Sequence, residues 1–158
     1  MRSFPDILLI STLPGLVDAP SRETVHRPDG VLTLGTIASV PVAVAATAAA
    51  GARWVISVAL APAAHPTRRG DVIVPTDAAD PALLRLAREV PEGDWLPEHY
   101  APVAHFDTCR VLGVPPSPAG VSLTVYGVCP PGLSPAARAD AGDAAVSFAR
   151  AVVAHLAP

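Results

Sequence analysis

Lysine is absent from this chain of 158 residues, and all eleven of its basic residues are arginine. Charge of either sign is scarce, because only 16% of the residues are charged and the formal net charge is −3. A slightly acidic chain lacks the clustered positive charge with which proteins bind nucleic acid. We therefore expect no nucleic-acid partner.

Cysteine is scarce too, with Cys109 and Cys129 alone in the sequence. Two cysteines are too few for the disulfide framework of a small secreted protein, and their spacing differs from that of paired metal ligands. We expect two free thiols in a reducing compartment, no bound metal and no other cofactor.

Long hydrophobic runs are also missing. The apolar run at 7–10 is too short for the core of a secretory signal, and the alanine-rich run at 42–50 is too short to cross a membrane. We therefore expect a cytoplasmic protein with no membrane partner. Because 51% of the residues are hydrophobic, the chain can bury a sizeable core, and its length suits a single domain over residues 1–158.

Short apolar runs separated by glycine and proline predict the strands of a sheet. The run at 54–60 is apolar at nearly every position, which is typical of a strand buried on both faces. Since strands and helices alternate, we expect an α/β fold in which a mostly parallel or mixed central sheet is flanked by helices. The expected strands are 6–11, 31–34, 54–60, 72–75 and 121–128.

Four segments are predicted to be helical. The alanine-rich run 42–50 reads as a buried helix that follows a turn at 35–41, with Ser39 as its N-cap and Gly51 as its C-cap. A short helix is expected at 104–112.

Two helices have clear start signals. Asp80 and Pro81 open an amphipathic segment that ends near Val90, and Ser134 precedes a last helix that runs from Pro135 to about Leu156. Residues 16–30, 62–69 and 91–104 are expected to be loops. Trp95 and Tyr100 in the last of these loops are apolar enough to be buried against a second subunit.

Three features of the chain follow one another in a recognisable order: Gly51-Ala52 before a buried strand, Gly70-Asp71-Val72-Ile73-Val74-Pro75 after it, and a final strand and helix over 121–156. In this order the chain resembles the nucleoside phosphorylase and nucleosidase superfamily. The similarity extends along nearly the whole chain. It implies a nucleoside-phosphorylase-like fold, a small-molecule substrate and a homo-oligomer.

The resemblance also implies a register for two functional pairs. Phe106-Asp107 would stand where the superfamily has a Met-Glu pair, and Cys129-Pro130 where it has a Ser-Asp pair. A carboxylate such as Asp107 can accept both hydrogen bonds from the vicinal diol of a ribose. Asp107 at the start of a helix can equally be a structural residue.

Departures from the superfamily pattern bear on the reaction. Ser57 stands where the phosphorylases carry a phosphate-binding arginine, Ala59-Leu60-Ala61 replaces a glycine-rich turn, and Cys129-Pro130 has no carboxylic acid. The resemblance thus implies hydrolysis of a nucleoside-like N-glycosidic bond more than phosphorolysis. A fold can persist without its chemistry. A repurposed cyclase, isomerase or lyase for a largely apolar metabolite, and a non-catalytic binding subunit, therefore remain as alternatives.

The candidate site residues follow from the rule that α/β sheets bind ligands at the carboxyl ends of their strands. The catalytic candidates are Asp107, the two histidines His65 and His105, which titrate near neutrality, and Cys129 as a nucleophile. Each histidine and the thiol can also be structural. The expected substrate-binding residues are Thr12, Gly35, Thr36, Ser57, Ala59, Leu60, Phe106 and Tyr126.

Overall fold

The computed structural model describes residues 5–18, 23–28, 30–47, 52–63, 67–77, 79–98, 100–132 and 134–156. Within these ranges, eight strands form one mixed sheet that three helices flank. The strands are β1 (Ile7–Ile10), β2 (Glu23–Arg27), β3 (Gly30–Ile37), β4 (Val40–Ala45), β5 (Trp54–Ala61), β6 (Val72–Pro75), β7 (Ala104–Asp107) and β8 (Leu123–Val128). The helices are α1 (Pro81–Glu89), α2 (Cys109–Leu112) and α3 (Pro135–Leu156).

The order of strands across the sheet is β2-β3-β4-β1-β5-β8-β6-β7. The four central strands β4, β1, β5 and β8 are parallel, so their carboxyl ends share one side of the sheet, called here the carboxyl edge. β6 runs antiparallel to β8, and β7 runs parallel to β6. The carboxyl ends of β6 and β7 therefore point to the opposite edge. The expected α/β fold with a central mixed sheet is confirmed.

Helix α3 covers one face of the sheet, called here the α3 face. Its side chains Ala144, Phe148 and Val152 are buried against residues of β5, β6 and β8 such as Val58 and Val125. The approach is close at Gly127 of β8, where an added Cβ would lie 2.4 Å from the carbonyl oxygen of Ala141. Glycine is therefore required where the helix crosses this strand.

The opposite face, called here the α2 face, has a different cover. Ile73, Tyr126 and Val128 are buried there together with Cys109 and Leu112 of α2. Further along the sheet, a separate cluster forms on this face around four buried residues: Leu8, Leu32, Ala43 and Ala45. The central strands are thus buried on both sides, which explains their nearly continuous apolar sequences.

The helix predicted at 42–50 is wrong, because residues Val40–Ala45 form strand β4. Alanine favours helices, but Val42 and Ala43 are completely buried between β1 and β3, and that burial outweighs the local preference. The turn predicted at 35–41 is shorter than expected, since β3 continues to Ile37 and β4 begins at Val40. Ala38 and Ser39 make the turn, with φ values of 48° and 69°, so Ser39 is not an N-cap. Gly51 lies outside the described residues.

Two further segments differ from expectation. The helix predicted at 104–112 is wrong in its first half, because 104–107 form β7 and only Cys109–Leu112 are helical. The segment predicted as a loop at 16–30 contains strand β2, whose side chains are mostly exposed and therefore show no hydrophobic pattern. Of the loop at 62–69, residues 64–66 lie outside the described part.

The strongest sequence signals are confirmed. β1, β5, β6 and β8 lie where strands were predicted, and α3 begins at Pro135. Helix α1 begins at Pro81, and the carboxylate of Asp80 accepts the N–H groups of Ala82 and Leu83 at 2.9 and 3.2 Å. None of the helices in the described ranges has the length and apolar character needed to cross a membrane.

Trp95 does not offer the exposed surface expected of it. Its side chain is buried and meets Phe148 edge to face, with ring centroids 5.1 Å apart. The hydroxyl of Ser147 on α3 donates to the Trp95 carbonyl at 2.9 Å. The segment around Trp95 is therefore held against α3 and is part of the core.

Candidate functional site

The segment after β1 is fixed to the carboxyl edge by Ser11. The Ser11 N–H donates to the carbonyl of Ala45 at 2.9 Å, and its hydroxyl donates to the carbonyl of Val58 at 2.6 Å. The same hydroxyl oxygen accepts the N–H of Leu13 at 3.0 Å. These bonds join the ends of β4, β1 and β5, and they leave Thr12 exposed beside them.

Arg150 on α3 holds the continuation of this segment. Its guanidinium donates to the carbonyls of Gly15 and Leu16 at 3.4 and 3.0 Å and to the carboxylate of Asp18 at 2.5 Å. The hydrogen bond from Arg150 lowers the pKa of Asp18 from its ordinary value. The segment that leaves the carboxyl edge is thereby tied to the main helix.

One cross-strand row links the candidate residues. Ala59 is paired with Tyr126, Tyr126 with Ile73, and Ile73 with His105, so four strands present side chains to the α2 face at one level. The Tyr126 hydroxyl donates to the carbonyl of Pro115 at 3.3 Å, and burial raises its pKa. Tyr126 is therefore a neutral, oriented side chain near neutral pH.

Cys129 follows directly at the end of β8. Its N–H donates to the carbonyl of Ala61 at 3.0 Å, which continues the pairing of β5 and β8 by one residue. The side chain is half-buried, and the thiol is not part of a disulfide. A thiol in this position is accessible at the carboxyl edge, as a nucleophile requires.

Asp71 is a nearly buried carboxylate next to the end of β8, with 5% of its side chain exposed. Its Oδ1 accepts the Val103 N–H at 3.0 Å, and its Oδ2 accepts the Arg68 N–H at 3.0 Å. Its main-chain carbonyl also accepts the Val128 N–H at 2.9 Å. Burial raises the pKa of Asp71, but the hydrogen bonds from Val103, His105 and Arg68 outweigh it and hold the pKa below its ordinary value. Asp71 is therefore ionised at neutral pH.

His105 completes this arrangement. Its Nε2 lies 2.9 Å from Oδ2 of Asp71, and 19% of its side chain is exposed. Because an ionised carboxylate only accepts hydrogen bonds, Nε2 carries a proton and Nδ1 is the basic nitrogen of the neutral ring. The pair presents an oriented acid–base group beside the carboxyl edge.

Seven of the predicted site residues lie on or near the carboxyl edge. Ser57 is paired with Ile10 at the end of β1, and Leu60 turns toward the α3 face, where its side chain adjoins Gly127 and Gly142. The group consists of Thr12, Ser57, Ala59, Leu60, His105, Tyr126 and Cys129.

Asp107 is the main correction to the predicted site. The register implied by the resemblance placed it opposite the end of the strand predicted at 121–128, although residues 104–107 were expected to be helical and form strand β7. β7 instead runs with β6 and against β8, so Asp107, paired with Pro75, lies toward the opposite edge. Its exposed carboxylate accepts the Thr108 N–H at 2.7 Å at the start of α2. This contact is a structural one.

Four other predicted residues do not join the group. Phe106 faces α3, with its ring 6.5 Å from that of Phe148, and the Arg88 guanidinium lies 5.1 Å from its centroid. Gly35 and Thr36 are paired with Val42 and Pro41, near the amino end of β4. They therefore lie toward the edge opposite to the carboxyl edge, because residues 35–37 of the predicted turn belong to β3. His65 lies outside the described residues.

The sequence analysis named Asp71 only as part of the stretch Gly70–Pro75, so its contact with His105 was missed. The two residues are 34 positions apart and their contact depends on the pairing of β6 with β7. The available signal was a carboxylate directly before a buried strand. Within the described ranges, no group of three or more histidine, cysteine, aspartate or glutamate side chains could hold a metal ion.

Comparison of the fold with solved structures gives a consistent result. A protein assigned as a methylthioadenosine nucleosidase from Weissella paramesenteroides matches with a TM-score of 0.70 and 13% identity, over 94% of this chain and 98% of the other. The 5'-methylthioadenosine/S-adenosylhomocysteine nucleosidase of S. pneumoniae matches with a TM-score of 0.65 and 13% identity, over 95% and 99%. Purine nucleoside phosphorylase from Schistosoma mansoni matches with a TM-score of 0.63 and 13% identity, over 99% and 92%.

The chain therefore has the fold of the nucleoside phosphorylases and nucleosidases, and the predicted resemblance is confirmed at the level of the fold. No protein-family model matches the sequence, and no curated protein matches it in a sequence search.

Proposed function

We propose that this chain is an enzyme that hydrolyses the N-glycosidic bond of a nucleoside-like substrate bound at the carboxyl edge. The observation that carries the proposal is the fold, which is similar over at least 94% of the chain to two proteins named as nucleosidases and one named as a phosphorylase. The strand-end residues Thr12, Ala59 and Cys129 lie where a ligand binds in such sheets. His105, held by its contact with Asp71, supplies an imidazole that can donate and accept protons at the same edge.

Ser57 favours hydrolysis over phosphorolysis. A phosphate co-substrate is normally held by charge-assisted hydrogen bonds from arginine or lysine. Ser57 offers only a hydroxyl, and the neighbouring residues of its row on the sheet, Ile10 and Thr124, are uncharged. Water needs no such cation, so the uncharged surroundings of Ser57 favour water over phosphate as the co-substrate.

A second candidate is a cyclase, isomerase or lyase that acts on a largely apolar metabolite. It is favoured by the apolar end of β5, where Ala59, Leu60 and Ala61 follow one another. It is also favoured by the position of Asp107, which lies toward the opposite edge of the sheet and so cannot bind a diol at the carboxyl edge. A non-catalytic binding subunit is the third candidate.

We further propose that the chain acts as one domain, in the cytoplasm, and as a homo-oligomer. The cytoplasmic proposal is supported by Cys109 and Cys129, neither of which is in a disulfide. The oligomer is supported by the exposed apolar side chains of Tyr100, Val103 and Val111 in the segment that contains β7.

The test is to incubate the purified protein with inosine, adenosine and methylthioadenosine, with and without phosphate, and to separate the products by chromatography. We expect free base and free sugar at a rate that does not depend on phosphate. Formation of a sugar phosphate would show phosphorolysis instead. Thermal stabilisation by apolar metabolites without any turnover of nucleosides would favour the second candidate.

Two variants make the assay specific to the site. Ala59→Trp places a bulky ring at the carboxyl edge and should abolish base release, while Val31→Trp adds the same ring at an exposed position of β3 and should not. Both variants are checked for folding by circular dichroism. Equal activity in the two variants would show that the substrate does not bind at the carboxyl edge.

A further inference from the structure

The Asp71 carboxylate has hydrogen-bond donors on both oxygens even without its contact with His105. The main-chain N–H groups of Val103 and Arg68 already supply one donor to each oxygen of the Asp71 carboxylate. The imidazole is a third donor and is not required to satisfy a buried charge. It is also partly exposed, unlike a histidine that only fills space in a core.

The position of the pair places it within reach of a ligand at the carboxyl edge. Asp71 adjoins Val128 through two main-chain hydrogen bonds, one made by Asp71 itself and one by Gly70, and Val128 is paired with Ala61 at the end of β5. Two strand spacings, roughly 10 Å in all, therefore separate Asp71 from the end of β5. A ligand of nucleoside size bridges that span.

The chemistry of the pair fits a proton exchange. The carboxylate of Asp71 fixes the proton on Nε2 and stabilises the imidazolium, so that Nδ1 can release and recover a proton. A nitrogen heterocycle leaves a sugar more easily when it is protonated, and a neutral histidine formed in this way can then accept a proton from water.

We propose that His105, oriented by Asp71, is the general acid–base residue of the carboxyl-edge site. This inference rests on the proposed function. The Nδ1 proton of the imidazolium passes to a ring nitrogen of the leaving base as the bond between the sugar carbon and the base breaks, and the bonding electron pair stays with the base. Water forms the new carbon–oxygen bond, and its released proton returns to Nδ1. One water is consumed for each bond cleaved, and His105 ends in its starting state.

The test compares two substrates that differ in their leaving group. Inosine releases a base that needs protonation, whereas 4-nitrophenyl β-D-ribofuranoside releases a phenolate that leaves without it. His105→Gln should lower kcat for inosine by about 10²- to 10⁴-fold, the usual contribution of general acid–base catalysis, and should leave the nitrophenyl substrate nearly unchanged. Asp71→Asn should lower kcat for inosine in the same selective way. Loss of both activities to the same extent, or of neither, would overturn the proposal.

The chain offers a matched control in a second histidine–aspartate pair. His155 and Asp94 lie 2.7 Å apart near the end of α3, and both side chains are exposed to more than 40%. His155→Gln removes the same kind of contact away from the carboxyl edge, so neither substrate should be affected.

A second measurement separates this proposal from the proposed function. If the wild-type protein hydrolyses neither substrate, the proposed function is wrong, and the acid–base assignment is then judged by nitrogen NMR of the wild-type histidines. Hypoxanthine, the free base of inosine, should shift the Nδ1 resonance of His105 and leave that of His155 in place. The absence of that selective shift would overturn the assignment, and the measurement needs no variant to fold.

Discussion

Asp71 joins three separate parts of the chain through one carboxylate. It accepts hydrogen bonds from the turn before β6, from the segment before β7 and from His105, and it is nearly buried. Since its charge is stabilised only in the folded protein, it should contribute to the free energy of unfolding whenever it is ionised.

Asp71→Asn should lower the free energy of unfolding by about 1.5–3 kcal/mol at pH 7, the range for hydrogen bonds to a charged group. The folded-state pKa of Asp71 lies below the ordinary value of 3.8. Its contribution is therefore complete above that ordinary value and is lost as the pH falls through the lower folded-state pKa. Urea denaturation of both proteins at pH 7 and at several values below 4 measures this.

The control is Asp94→Asn, which removes an exposed carboxylate and should change stability little at any pH. A difference between Asp71→Asn and the wild-type protein that stayed constant down to the lowest pH would mean that packing, and not charge, causes the loss.

Individual site residues were predictable where they follow strands and not where they depend on pairing. Ala59 and Cys129 lie at or near the ends of the apolar runs that mark β5 and β8, so their position at the carboxyl edge could be predicted from the sequence. Asp107 was misplaced because residues 104–107 were predicted to be helical, whereas they form β7, which runs against β8. The pairing of Asp71 with His105 was missed for the same reason.

Gly127 sets the distance between α3 and β8. An added Cβ would lie 2.4 Å from a helix carbonyl, which is backbone that no side-chain rotation can move. Gly127→Ala should therefore lower the free energy of unfolding by about 1–3 kcal/mol, the usual cost of overpacking. Thermal or urea denaturation measures this loss.

Gly93→Ala is the matched substitution, because nothing lies within 4 Å of the added methyl group at that exposed glycine. It should leave the stability nearly unchanged. If Gly127→Ala were as stable as Gly93→Ala, α3 could move away from β8 at no cost in the free energy of unfolding. The close contact at Gly127 would then contribute nothing to stability.

The elements that were predicted correctly carry consistent local and long-range signals. α1 combines an N-cap, a proline at its first turn and an amphipathic pattern, and its predicted start is correct. β4 gave conflicting signals, since its alanines favour a helix while its position between β1 and β3 requires a strand. β2 is an exposed strand at one side of the sheet and has no apolar pattern to detect.

The side of the sheet that ends in β7 has the properties of a contact surface between subunits. Tyr100, Val103 and Val111 are exposed by 39%, 45% and 56%, and all three lie within the segment that contains β7. β7 is the last strand of the sheet, and such an edge is able to pair with another chain.

We expect a homo-oligomer in solution, in which this side of the sheet is buried. Light scattering across micromolar concentrations should give a mass above that of one chain. The double substitution Val103→Asp and Val111→Asp should reduce the mass to that of a monomer, because two charges would have to be buried in the contact.

Val31→Asp serves as the control, since Val31 is 50% exposed but lies on β3 near the other side of the sheet. Its mass should equal that of the wild-type protein. A monomeric wild-type protein would rule out the oligomer, and dissociation caused by Val31→Asp alone would move the contact to the other side.

The position of β8 also governs the order in which the protein can be assembled during synthesis. β8 lies between β5 and β6, yet in the sequence it follows both, since β6 ends at Pro75 and β8 begins at Leu123. A ribosome therefore releases two strands whose facing edges stay unpaired until a much later strand emerges and inserts between them. Such distant pairing slows folding and leaves sheet edges exposed to misassociation during that interval.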